Sequence, residues 1–310
     1  MMPIIEVDQL VKCYRGAASN AVDGISFTVA PGEFFTLLGP NGAGKTTTIS
    51  ILTTTLAPTS GEVRVAGHDV ARSASAVRRN LGIIFQQPSL DLNLSAEENI
   101  RFHAILYGLY PFRPTFSTMP RPYQHQVLEL AAFLDLENDM SKKVRKFSGG
   151  MRRKLEIMRS LLHKPPILFL DEPTAGLDPV SRRNLWEYLR RVRNESGTTI
   201  FLTTHYLDEA EDADTICIID RGRIVSYGSP QQVKAELVEH YLLIDAENRD
   251  QLRAELGRLR VEFVETPLFR IDLKERSVHQ LIKAIETPLT LVNPHTPSLE
   301  DAYLEIVEHA

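Results

Sequence analysis

Nine consecutive residues, Gly39-Pro40-Asn41-Gly42-Ala43-Gly44-Lys45-Thr46-Thr47, restrict the possible folds more than any other stretch of the chain. The first eight fit G-x-x-x-x-G-K-[ST], a loop whose backbone N–H groups cradle phosphates. The pattern has that meaning only between a strand and a helix, and both are expected here. Glu33-Phe34-Phe35-Thr36-Leu37-Leu38 has the length and apolarity of a buried strand, and Thr48-Ile49-Ser50-Ile51-Leu52 continues a helix that opens at Lys45. Glycines let the loop turn its amides inward, and the helix N-terminus adds its positive dipole end at the same point. Lys45 would reach the β- and γ-phosphates, and the Thr46 hydroxyl would take one Mg²⁺ position. A nucleoside triphosphate site is expected rather than a chance glycine turn; the kind of phosphate-binding protein stays open.

At ~150 residues per domain, the 310 residues suggest two domains. Hydrophobic content of 43%, charged content of 24%, a net charge of −5 and a pI of about 6.0 describe an ordinary globular protein with no global field for nucleic acid. The two cysteines, Cys13 and Cys217, lack metal-ligand spacing, which points to a reducing compartment without a disulfide framework. The N-terminal residues Met1 to Glu6 do not read as a signal peptide, and no apolar run is long enough to span a bilayer. A soluble protein is expected.

Ahead of the loop, Ile4 to Val11 and Ala21 to Val29 read as strands of a small antiparallel ribbon that walls one side of a nucleotide. Tyr14 lies beside that wall, where a ring either stacks on an adenine or packs on its neighbours; position alone favours packing. Glu62 to Gly67 alternates like an exposed strand, and Leu81-Gly82-Ile83-Ile84-Phe85 is a buried-strand candidate ending at Gln86-Gln87-Pro88. Residues 95–163 turn helical. Ser95 and Glu98 form a capping box for a helix through about Tyr107, prolines 111, 114, 120 and 122 mark residues 108–122 as a loop, and a further helix covers about Gln124 to Leu134.

Met151, Leu155, Met158 and Leu162 fall on one face of a helix that starts at Ser148-Gly149-Gly150, either a second anion site or an ordinary cap before a basic, solvated face. Ile167-Leu168-Phe169-Leu170 is an unbroken apolar run, as in a parallel strand buried on both faces, and ends in Asp171 and Glu172. Thr198 to Thr204 repeats the design and ends in His205. Chemistry in such sheets gathers beyond the carboxyl ends of the strands.

With these motifs in this order, residues 4–235 resemble the ATP-binding subunit of an ABC transporter. Gly39 to Thr46 matches the Walker A loop, Phe147-Ser148-Gly149-Gly150-Met151 the signature usually written LSGGQ, Ile167 to Asp171 the Walker B strand, Ala175-Gly176-Leu177-Asp178 the D-loop and His205 the switch histidine. The signature's flanking Leu and Gln are Phe147 and Met151 here. The resemblance implies an α/β P-loop NTPase core with an antiparallel β subdomain, a helical subdomain at about 88–165, and a small C-terminal α/β extension, divided as 1–236 and 237–310. Tyr14, which lies 25 residues before Gly39, takes the adenine-stacking position. Gln86, in preference to Gln87, takes the Q-loop position at Mg²⁺ and the attacking water.

ATP and Mg²⁺ are the implied cofactors. Thr46, Gln86 and Asp171 would hold the metal, the last through water; Glu172 would orient or deprotonate the attacking water, and His205 would contact the γ-phosphate. Residues Gly39 to Thr47, Ser148 to Gly150 and Asp178 would contact nucleotide in a head-to-tail homodimer, each site completed by the other chain. A separate membrane-embedded permease, driven through the helical region, would hold the protein on the cytoplasmic face of the membrane. Tyr110, Phe112 and Phe116 are expected as exposed anchors for that partner.

The run from Phe147 to Leu155, Thr204-His205-Tyr206-Leu207-Asp208-Glu209, and the ending Pro297 to Leu304 resemble the drug-resistance branch that pairs with ABC-2 type exporters. An importer subunit is the nearer alternative. A soluble ATPase of DNA repair or translation is the other: those carry a long coiled coil or two cassettes, whereas this chain has one cassette with about 100 residues between loop and signature. The extension, with alternating runs at 241–245, 261–264 and 269–273 and two amphipathic helices, carries no catalytic motif.

Overall fold

The structure, a computed structural model, describes residues 2–85, 89–237, 241–273, 277–294 and 298–300. The chain forms two compact units, 1–227 and 228–310. The expected boundary at 236/237 lies later, at the end of a helix that groups with the second unit.

In the first unit β1 (Ile5–Lys12), β2 (Val22–Val29), β3 (Phe34–Leu38), α1 (Lys45–Leu52), β4 (Ser60–Val65), β5 (His68–Asp69), α2 (Ala74–Arg79) and β6 (Leu81–Ile84) come first. Then follow α3 (Ala96–Leu106), α4 (Arg121–Phe133), α5 (Gly149–Leu161), β7 (Ile167–Asp171), α6 (Pro179–Ser196), β8 (Thr199–Thr204), α7 (Leu207–Ala210), β9 (Thr215–Asp220) and β10 (Arg223–Gly228). Strands β1 and β4 bury alternate residues such as Ile5, Val7, Val63 and Val65, and belong to an antiparallel sheet of order β2-β1-β4-β5. Strands β3, β7 and β8 bury every residue and lie at the centre of a six-stranded sheet of order β10-β9-β3-β8-β7-β6. From β6 to β9 the pairing is parallel. The chain leaves β3 for the far edge at β6, then passes from β8 across β3 to β9. That reversal opens a crevice at the carboxyl ends, where Leu38 pairs with Thr204 and Asp171 with Thr203.

A row of aromatic rings joins the two sheets. Phe35, Phe201 and Phe169 are register partners on neighbouring strands, with ring centroids 5.0 and 5.2 Å apart, and Phe27 of β2 stacks on Phe35 at 5.2 Å. Phe201→Ala removes the central ring and is expected to cost about 3–5 kcal/mol of stability, since neighbouring strands cannot close the cavity. Denaturant unfolding followed through Trp186, the only tryptophan, checks this; a loss below ~1 kcal/mol would show that the row does not hold the sheets together.

The expected capping box is present: Ser95 Oγ accepts from the Glu98 N–H at 3.2 Å, and the Ser95 N–H donates to Glu98 Oε2 at 2.7 Å. The proline-rich loop ends earlier than the sequence suggested. Pro122 lies in the first turn of α4, where a missing N–H costs nothing, so this helix begins at Arg121. Tyr110 and Phe116 are not exposed anchors, because both rings pack toward buried Tyr123, at 5.4 and 6.0 Å. Only Phe112, 62% exposed, stands out in solvent.

In the second unit α8 (Pro230–Leu237), β11 (Tyr241–Ala246), α9 (Arg249–Arg258), β12 (Phe263–Thr266), β13 (Leu268–Asp272), α10 (Val278–Ala284) and β14 (Leu289–Pro294) follow. The antiparallel sheet has the order β12-β13-β11-β14, with Leu242, Ile244, Phe269 and Ile271 packed against Leu252, Leu256 and Leu281 of the helices. Strand β14 was not foreseen; most of its residues are exposed, so it carries no apolar alternation. The family-like ending from Asp301 onward lies outside the described residues.

Candidate functional site

The loop Gly39 to Gly44 is held by backbone, and two glycines are needed for it. A Cβ on Gly39 would lie 2.1 Å from the Ile219 carbonyl of β9, and one on Gly44 would lie 2.4 Å from the Ala21 carbonyl before β2. Gly44 also has φ +108°, a conformation open to glycine. The Gly222 N–H donates to the Ala43 carbonyl at 2.9 Å and closes the loop from the side of β10. Helix α1 therefore starts at Lys45 without a side-chain cap and without an acidic residue in its first turn. Helices α3, α5 and α6, by contrast, are capped by Ser95, Ser148 and Asp178. An uncapped, acid-free N-terminus offers N–H groups and a positive dipole to an anion.

Lys45 is only 5% exposed, and its Nζ donates to the Gly39 and Pro40 carbonyls at 2.7 and 3.0 Å. Burial lowers its pKa, while the charges of Glu172 and Asp171 pull it back up. Asp171 is buried at the end of β7 and accepts a hydrogen bond from the Thr203 hydroxyl. Burial pushes its carboxyl up from the usual carboxylate range, against the Thr203 hydrogen bond; Glu172 adds to the rise and Lys45 and Arg153 oppose it. Glu172 follows with φ +48°, its N–H on the Thr203 carbonyl at 3.0 Å. Its Oε1 accepts from His205 Nδ1 at 3.1 Å, which leaves Nε2 as the other polar atom of the imidazole. A left-handed glutamate costs about 1–3 kcal/mol, and such strain persists where surrounding structure enforces it.

Glu172, Lys45, Thr46, Thr47, Asn41, Gly42, Gly44 and Ala21 line one cleft of about 180 Å³ at the carboxyl ends of the strands. A larger cleft of about 610 Å³, bordered by Pro165 and Thr198, lies at the amino ends of β7 and β8. Ligand sites in parallel sheets form at the other end, so size does not decide here.

Tyr14 does not pack into the core. The residue is 45% exposed, with the hydroxyl 3.3 Å from Thr47 Oγ1 and Lys12 Nζ 5.6 Å from the ring centroid. The structure does not bring Ser148, Gly149 and Gly150 into the Lys45 cleft. Ser148 and Gly149 are exposed, and Ser148 Oγ caps α5 by accepting from the Met151 N–H at 3.2 Å. Asp178 is likewise outside the cleft. It caps α6, accepting from the Val180 and Ser181 N–H groups at 3.1 and 3.0 Å and from the Ser181 hydroxyl at 2.5 Å. Gln86 and Gln87 lie outside the described residues.

Two supporting residues escaped the sequence reading. Arg153, read there within a basic solvated face, is 5% exposed and donates to the carbonyls of Phe85, Asp171, Glu172 and Pro173. A signal was present: Arg153, Glu156, Ile157 and Ser160 recur at i, i+3, i+4, i+7, and all four are buried. Glu209, buried in α7, accepts from Thr174 and Thr204 and so links the segment after Glu172 to the residue before His205. No pattern within the chain distinguishes it.

Among the described residues no three His, Cys, Asp or Glu side chains form a metal cage. Mg²⁺ does not need one, since it takes one or two protein oxygens together with phosphate oxygens and water. The exposed Thr46 hydroxyl and the Asp171 carboxylate, whose burial disfavours its charge, suit such an ion.

Residues 22–175 match the family model described as ABC transporter. The daunorubicin/doxorubicin resistance ATP-binding protein of Streptomyces peucetius is 37% identical over 98% of this chain and 92% of its own length. The Nod factor export ATP-binding protein I of Paraburkholderia xenovorans is 36% identical over 97% of this chain and 96% of its own. Among solved structures, an ATP-binding subunit of an ABC transporter is 31% identical, with a TM-score of 0.67 over 75% of this chain and 92% of that one. A dimeric ATP-binding cassette in a post-hydrolysis state, bound to ADP and phosphate, is 25% identical with a TM-score of 0.66 over 73% of this chain and 98% of that one. With its loop, strand ends and similarity extending along nearly the whole length of such relatives, the chain belongs to the ATP-binding subunits of ABC transporters.

Proposed function

We propose that this chain is the ATP-hydrolysing subunit of an ABC-2 type exporter, that two copies share each site head to tail, and that the membrane path belongs to a separate permease chain. One observation carries the reading. Lys45, Asp171, Glu172 and His205 meet at the carboxyl ends of neighbouring strands, while the Ser148-Gly149-Gly150 end of α5, with Ser148 and Gly149 exposed, lies outside that cleft.

In this reading the α1 N-terminus and Lys45 bind the phosphates, and Tyr14 stacks on the adenine from beside Thr47. Thr46, Gln86 and, through water, Asp171 would hold Mg²⁺, which would supply charge neutralisation on the phosphate oxygens. Glu172, aimed by the His205 contact, takes or orients the proton of the attacking water. The bond from the terminal phosphorus to the bridging oxygen breaks, the water oxygen joins that phosphorus, and ADP and phosphate leave. His205 Nε2 faces the γ-phosphate. Ser148, Gly149 and Gly150 of the second copy close over the same phosphate, with Asp178 at the shared edge.

Export is favoured over import by the relatives named for drug resistance and Nod factor export. A drug, antibiotic, lipid or polysaccharide is the class of cargo, and the permease would choose among them. Among the described residues no helix is long and apolar enough to cross a membrane; in this reading the path lies in the separate permease, which holds the subunit on the cytoplasmic face. Affinity capture of the full chain from detergent-solubilised native membranes tests this. It is expected to recover a polytopic membrane chain in equal amount; recovery of the bare chain from membranes and cytosol alike would overturn the transport assignment.

A further inference from the structure

We propose that Arg153 is a positioning residue for hydrolysis, holding Glu172 in place through its backbone and tying it to the helix that carries Ser148. This role presupposes Glu172 as the water-activating group. All five N–H groups of the guanidinium are engaged. Nε donates to the Pro173 carbonyl at 2.9 Å, and Nη2 donates to the Asp171 and Glu172 carbonyls at 3.0 Å each. Nη1 donates to the Phe85 carbonyl and to Glu156 Oε2, the latter at 3.3 Å. Three successive carbonyls turned toward one cation require the chain to curl, and the curl is centred on Glu172 with φ +48°. The carboxylate that meets His205 is thereby aimed by a group five residues along α5 from Ser148.

The other half of the buried pair works in the same direction. Glu156 Oε1 accepts from the Ser89 N–H at 2.7 Å, and Arg159 Nη2 lies 3.8 Å away. Arg153 on Phe85 and Glu156 on Ser89 therefore fasten α5 to the chain on both sides of residues 86–88. A lysine could not replace this arrangement, because one ammonium has three donors and no planar fork. Displacement of α5 would pull on the Glu172 turn, so closure of α5 onto a nucleotide in the second copy and alignment of Glu172 in its own chain become one event.

The test is a double-mutant cycle in the full chain. Arg153→Lys is expected to leave KM and ATP affinity within about twofold of wild type and to lower kcat by ~10- to 100-fold, the scale for a displaced catalytic group. In a Glu172→Gln background the same change should lower the residual turnover by less than ~2-fold, because the group it positions is already gone. Equal fold-losses in both backgrounds, or a raised KM with kcat unchanged, would overturn the role of Arg153 alone. Unchanged turnover in Glu172→Gln itself would overturn the role of Glu172 and this one with it. If Arg153→Lys does not fold, Arg153→Gln with Glu156→Gln, which removes both buried charges together, goes through the same cycle. If neither folds, Arg153 is a residue of the fold, and the positioning role is overturned.

Discussion

Glu172→Gln is expected to bind Mg·ATP as tightly as the unaltered protein and to release phosphate at least ~10²-fold more slowly, the range for losing a positioned base. The substitution conserves shape, and an amide oxygen can still accept the hydrogen bond from His205 Nδ1, which the carboxylate accepts at 3.1 Å. The backbone at residue 172 keeps its Arg153 and Thr203 contacts, so the φ +48° turn stays enforced. What disappears is the ability to take a proton from water. Binding is expected to be spared because the proposed phosphate contacts are those of Lys45 and the start of α1. Nucleotide titration and phosphate release on the same preparation separate the two effects. Normal turnover would remove Glu172 from the mechanism.

The parts of the site that were legible in the sequence are those whose chemistry is local in the chain. The loop needs small residues at fixed spacing, because Gly39 and Gly44 touch the backbone of other strands. Strands β7 and β8 are buried on both faces, so they read as unbroken apolar runs with their functional residues at the ends. The Ser95 capping box was legible for the same reason, being closed within four residues.

What stayed hidden depends on partners distant in sequence. Arg153 is 18 to 20 residues from the carbonyls of Asp171, Glu172 and Pro173 and 68 from that of Phe85; its helical spacing with Glu156, Ile157 and Ser160 marks an inward face, but the carbonyls it meets there are not legible within the helix. Glu209 has a similar history: its buried carboxylate is explained only by Thr174, 35 residues away, and by Thr204. The loop aromatics misled in the opposite direction. A proline-rich loop in the region expected to meet the membrane partner suggested exposure, whereas Tyr123 offers Tyr110 and Phe116 a buried ring to pack against.

The sharing of each site between two chains is tested most directly by mixing two defective copies. Lys45→Ala removes the cation from the phosphate loop, and Ser148→Arg blocks the exposed end of α5. Both are made in a Glu172→Gln background, so that trapped ATP rather than turnover is measured. If Ser148 served the loop of its own chain, each variant would be dead and no mixture could recover. In a head-to-tail dimer one interface holds both lesions, and the other joins an intact Lys45 to an intact Ser148. Neither variant alone should then trap ATP, while verified mixed dimers should trap about one ATP each, because only the intact interface binds the closed state preferentially. Mixed dimers that trap no ATP would contradict the shared site and remove Ser148, Gly149 and Gly150 from the γ-phosphate.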